Sequence, residues 1–257
     1  MSHQSRDRAV ILFGLAGVCI LSWIYLFWMV YDMNANPATC WMHMISTSWT
    51  AKYFFLTLVM WVIMMVAMMV PSVTPMVLIF ATVQRKRASS GRLFVPAWLF
   101  LGGYLAIWSA FSLAATLAQW GLHAAALLSP ATLTVGPVAG GVLMVLAGVY
   151  QWTPWKNACL RHCVSPLGFL TEEWRDGRGG AFIMGLRHGL FCTGCCALLM
   201  ALLFVAGVMN LLWVAALGAI VLIEKLVPAT RVTTSAFGVI FIAAGAALLT
   251  QPLWKVA

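Results

Sequence analysis

Uncharged apolar stretches of about 20 residues leave a chain few options, because a helix of that length crosses a hydrocarbon core of roughly 30 Å with its backbone satisfied internally. Such stretches recur here from the first quarter of the sequence to the last. Seven spans are read: Ala9 to Tyr31, Tyr53 to Phe80, Pro96 to Ala118, Thr132 to Gln151, Phe191 to Val208, Leu211 to Leu226 and Ser235 to Leu249. With 63% of 257 residues hydrophobic and 8% charged, no stretch is left for a separate soluble domain. The expected fold class is all-α, a polytopic transmembrane helical bundle forming a single domain over residues 1–257. The first apolar run exceeds a signal-peptide core and "NANPATC" offers no convincing cleavage site, so it is read as a span.

The net charge of +9 would point to an anionic partner in a soluble protein. In this chain the distribution of the charge points instead to topology. Of fifteen Lys and Arg, all but Lys52 and Lys255 fall on one side of the seven-span arrangement. Basic residues mark the cytoplasmic side, which places the N-terminus inside and the C-terminus outside. A lipid bilayer is the implied environment, with a bacterial inner membrane the expected location, and nucleic acid is not implied.

The segment from Trp152 to Gly180 is the only sizeable inner loop. In "TPWKNACLRHCVSP", Thr153 suits an N-cap, Pro154 the first helical position and Pro166 the position beyond a helix end. Trp155, Cys159 and Cys163 recur every four residues and so share one face of this short helix, which is expected to be buried.

Five of the seven cysteines lie in two clusters, Cys159 with Cys163 and Cys192 with Cys195 and Cys196. Cytoplasmic thiols stay reduced, and closely spaced ones bind metal or do redox chemistry more often than they form disulfides. On a helix His188, Cys192, Cys195 and Cys196 fall at i, i+4, i+7 and i+8, one stripe carrying an imidazole and three sulfurs. If the loop helix folds back, the two clusters converge. Soft, mostly thiolate ligands of this kind suit copper as Cu(I), zinc or an iron–sulfur centre, and Arg187, Arg161 and Lys156 are expected to ease ionisation of the thiols. Packing is the competing reading, since cysteine behaves as a small hydrophobe. Cys19 is read that way, and His162 is read as a surface residue.

The second span, "LVMWVIMMVAMMVPSVTPM", places Met60, Met64 and Met68 on one face, with Pro71 and Pro75 expected to bend or break the helix. On the outer side "CWMHM" adds Met42, His43 and Met44. Thioethers suit Cu(I), so these residues sketch a soft-metal path to the inner thiols, although a methionine stripe also serves simply as packing. Glu224 and Lys225 close the sixth span beside the thiols, where a carboxylate is a functional candidate or a partner for Arg187.

The stretches "WVIMMVAMMVP", "YQWTPWKNACLRHCVSP", "GLRHGLFCTGCCALLM", "GVMNLLWVAAL" and "EKL" occur in that order between Trp61 and Leu226. Together they resemble the DUF2182 family, described as metal-binding integral membrane proteins. The resemblance implicates Trp61, Met64, Met68, Met69 and Pro71; Tyr150, Lys156, Cys159 and Cys163; Gly185, His188, Gly189, Cys192, Cys195 and Cys196; and Asn210 and Glu224. Two functions stay open. One is a membrane protein that handles a soft metal, most simply copper, by transport or by delivery to a metal chaperone or membrane partner. The other is a thiol redox or metal-dependent enzyme built on the same cysteines.

Overall fold

The computed structural model describes residues 3–36, 49–129, 133–227 and 230–254. These form ten helices: α1 (His3–Ala35), α2 (Ala51–Ser89), α3 (Ala97–Ala124), α4 (Pro137–Tyr150), α5 (Pro154–Val164), α6 (Pro166–Glu173), α7 (Gly177–Ala201), α8 (Leu203–Ala206), α9 (Leu211–Leu226) and α10 (Thr230–Trp254). Among the described residues the only β pairing is an isolated bridge between Leu128 and Val135. The fold is an all-α membrane-helical bundle. Five stretches are long and apolar enough to cross a membrane: α1, α2, α3, α7 continued through α8, and α10. The remaining apolar helices, α4 with 14 residues and α9 with 16, reach only about 21–24 Å at 1.5 Å per residue. Met42, His43 and Met44 lie outside the described residues.

Helix α2 runs unbroken past both prolines. Pro71 has no N–H to give the Ala67 carbonyl one turn earlier. The Cys19 thiol of α1 lies 3.5 Å from that oxygen, so Cys19 serves the α1–α2 contact.

Two helix pairs approach at backbone distance. A Cβ on Gly185 of α7 would fall 2.0 Å from the Phe100 carbonyl oxygen of α3, and one on Gly103 of α3 would fall 2.1 Å from the Phe182 carbonyl oxygen of α7. Only glycine allows this crossing. Helices α4 and α10 do the same through Gly141 and Gly148 against Gly245 and Gly238, in the manner of small-residue contacts in membranes.

The segment expected to be one inner loop with a short helix holds α5, α6 and the start of α7. Thr153 caps α5 by accepting from the Lys156 amide at 3.3 Å, and Pro154 takes its first turn. Pro166, expected beyond the helix end, opens α6. Helix α7 begins at Gly177, fourteen residues ahead of the expected Phe191, so the cysteine stripe sits at mid-helix rather than at a mouth.

Acidic and basic residues gather at one end of the bundle. Arg85 near the end of α2 pairs with Asp7 of α1, Arg87 with Asp176 ahead of α7, and Arg187 with Glu173 of α6. Arg187 is thus engaged by Glu173 rather than by Glu224.

Candidate metal centre

Helix α5 folds back onto α7 and α9. Of its expected buried face, Cys163 is buried, Cys159 is half-buried and Trp155, in the first turn, is exposed. Cys163 is buried close to Cys192 and Cys195. Cys159 lies against Gly194, where a Cβ would come within 2.8 Å of its sulfur. The Tyr150 hydroxyl donates to the Gly194 carbonyl at 2.5 Å and ties the end of α4 to the same turn of α7.

What surrounds Cys192 differs from the expected set of basic residues. Lys225 of α9 places its Nζ 2.8 Å from Cys192 Sγ and donates to Ser72 Oγ of α2 at 3.0 Å. The Tyr104 hydroxyl of α3 stands 3.1 Å from the same sulfur. Four helices therefore meet at one thiol, with an ammonium beside it. Lys156 is occupied elsewhere: it is fully buried and forms a 2.7 Å ion pair with Glu224 Oε2, while Gln151 donates to Glu224 Oε1 at 2.8 Å. Both oxygens of Glu224 are thus engaged by neighbours on α4 and α5.

The Cys195 and Cys196 thiols each donate to the Cys192 carbonyl at 3.0 Å, a contact internal to the helix. Among the described residues no three His, Cys, Asp or Glu side chains converge as a ready ligand set. Hydrogen bonding with Cys192 and Cys195, together with burial, holds the Cys163 thiol well above the usual range for cysteine, and burial also raises Cys159. His188 shares the stripe but is packed among Phe100, Tyr104 and Phe169, with its Nδ1 buried and without a hydrogen-bond partner. Met64 and Met68 are buried on α2, and Met68 lies against Gly218 of α9, about two turns before Lys225.

A family model described as PpoB2, copper chaperone, matches residues 58–248. The chain belongs to the PpoB2 copper chaperone family. No curated protein and no solved structure matches the chain. The PpoB2 match runs from within α2 through most of α10, and takes in the thiols of α5 and α7, Lys225 and the Lys156–Glu224 pair. Cys19 and the "CWMHM" segment precede it.

From the sequence, Lys225 stands beside the thiols with no role given to it there, and Tyr104 is not singled out. Lys225 carried a signal, since a lysine in an apolar helix needs a buried partner. Tyr104 carried none, because nothing in "LGGYLAIW" distinguishes its hydroxyl from that of an interfacial tyrosine.

Proposed function

We propose that this chain is a membrane-embedded Cu(I) carrier that receives copper on the thiols where α5 meets α7 and passes it to a protein partner. The observation that carries this reading is the closeness of Cys163 to Cys192 and Cys195 beside the Lys225 ammonium. Soft thiolates suit Cu(I), and two sulfurs are enough to hold it. Cu(I) on two thiolates carries one negative charge, which Lys225 cancels, so the loaded centre is neutral in a buried setting where a net charge is costly.

In this reading Cys163 and Cys192 are the first pair of ligands. Cys195 and Cys196 become donors once their thiols rotate from the Cys192 carbonyl, and half-buried Cys159 is the thiol through which copper enters or leaves. His188 and the Met64–Met68 face provide further soft or neutral donors nearby. Glu224 acts by holding α5 in place rather than as a ligand. Met42, His43 and Met44 are assigned an outer, weaker copper site. Delivery is favoured over transport by the chaperone description of the family. The membrane is taken as a bacterial inner membrane crossed seven times with the N-terminus inside; reporter fusions at Arg87 and Trp120 giving the same sidedness would refute that topology.

The test is copper content by mass spectrometry after anaerobic Cu(I) loading and gel filtration without chelator. Wild-type protein should retain copper in stoichiometric amount, whereas Cys163→Ser and Cys192→Ser should lose it and Cys19→Ser should not. Copper-free wild-type protein, or full retention by both serine variants, overturns the assignment. Formation of a Cys192–Cys195 disulfide in turnover with a thiol partner, without bound copper, would favour the redox reading instead.

A further inference from the structure

We propose that the cleft between α5 and the start of α10 binds a phosphate group through Arg161 and Arg231. The cleft has a volume of about 500 Å³ and is bordered by Asn157, Leu160, Arg161, Ser165 and Arg231. A second recess of about 270 Å³ shares Asn157 and Arg231 and continues to Trp152 and Ser235. Arginines from two helices distant in sequence thus line one cleft.

Among the described residues no acid forms an ion pair with either arginine, although Glu172 borders a further recess beside Arg161. The chain contains six Asp and Glu in all. Asp7 pairs with Arg85, Asp176 with Arg87 and Arg92, Glu173 with Arg187 and Glu224 with Lys156. Glu172 lies 3.7 Å from His162, and Asp32 accepts from the Asn36 side chain at 3.0 Å. Among the described residues neither Arg161 nor Arg231 has an ion-pair partner. Arg231 also stands in the first turn of α10, a turn without an acidic residue, where the positive end of the helix dipole opposes a cation. An anion in the cleft relieves both costs at once.

Phosphate fits the donors. Guanidinium groups bind phosphate oxygens through paired N–H bonds, and Asn157 and Ser165 add an amide and a hydroxyl at the rim. The setting suits a phospholipid headgroup: Trp152 and Trp155 are exposed beside the cleft, as aromatic residues at headgroup depth are. Basic pockets between membrane helices bind anionic headgroups in this way. Arg161 projects from α5 about 200° around the helix from Cys159 and Cys163. A bound headgroup would therefore brace α5 from behind without touching the thiols, and the proposal does not depend on the copper reading.

The test uses full-length protein in detergent and follows thermal unfolding with added phosphatidylglycerol, phosphatidylcholine, or inorganic phosphate against chloride at matched ionic strength. Wild-type protein should be stabilised by phosphatidylglycerol and not by phosphatidylcholine. Arg161→Gln and Arg231→Gln should each weaken the response roughly fivefold, and the double variant roughly thirtyfold. Arg178→Gln, an exposed arginine outside the cleft, should respond as wild type, and Arg161→Lys should retain part of the response, which separates binding from folding. Stabilisation by inorganic phosphate but not by phosphatidylglycerol would make a soluble phosphate compound the occupant. A double variant that responds as wild type, or a wild-type protein indifferent to every anion, overturns the site.

Discussion

Lys156 and Glu224, sixty-eight residues apart, form an ion pair of 2.7 Å with both side chains sealed from solvent. The pair joins α5 to α9, and α9 also carries Lys225. One contact thus fixes the helix bearing Cys163 relative to the lysine that faces Cys192.

Removing one member of that pair leaves a buried charge without compensation. Lys156→Met or Glu224→Gln alone should cost about 3–5 kcal/mol, and the double variant Lys156→Met with Glu224→Gln should recover much of the loss. Thermal unfolding of the four proteins in detergent, free of copper, measures the coupling. Strict additivity of the two single effects would mean that the carboxylate and the ammonium do not depend on each other.

The α3–α7 crossing predicts a contrast between neighbouring glycines. Gly185→Ala would drive a methyl group to 2.0 Å from the Phe100 carbonyl oxygen, and the protein should fail to accumulate or unfold well below wild type. Gly102→Ala meets no atom within 4 Å and should be neutral or more stable by up to about 1 kcal/mol, the helix-propensity gain of alanine over glycine. Equal behaviour of the two variants in a thermal shift assay would contradict the crossing.

Cys159 is half-buried, and burial raises its pKa, so its neutral thiol persists to higher pH than that of a free cysteine. Alkylation follows the thiolate. In copper-free protein Cys159 should react more slowly than a small free thiol at neutral pH, and its rate should climb about tenfold per pH unit until the pKa is reached. Peptide mapping after timed iodoacetamide treatment reads this directly; a rate that is flat between pH 7 and 9 would place a thiolate there already.

At the α1–α2 contact, Cys19 supplies a donor that Pro71 removed. Cys19→Ala should cost about 1 kcal/mol, the value of one modest hydrogen bond, and should leave copper content unchanged. Loss of copper in this variant would show that α1 bears on the metal centre.

Much of the bundle was legible because long apolar runs admit one solution, and the punctuation Thr153, Pro154 and Pro166 marked α5 from both ends. The first half of α7 was not. "GRGGAFIMGLRHG" reads as loop by propensity, with five glycines and two arginines, yet Gly185 and Gly189 are there to admit α3. Tertiary packing overrides propensity at such a crossing. The stripe of Cys192, Cys195 and Cys196 could be drawn from spacing alone, whereas its partners could not. Lys156 with Glu224 and Lys225 with Cys192 are pairings across the fold, and local sequence does not encode which buried charge meets which. Trp155 shows the limit of periodicity: it shares the face of Cys159 and Cys163 and is nonetheless exposed.

Backbone contact between α3 and α7 also decides which part of the thiol cluster can yield. Gly103 and Gly185 leave no layer of side chains that could slide or rotate, so the wall carrying Cys192 is fixed like the anvil of a vice. Helix α5 is held by one ion pair, one cap and side-chain packing, and it is only three turns long. If copper passes to a partner protein as proposed, the jaw free to open is α5, with Cys159 leading.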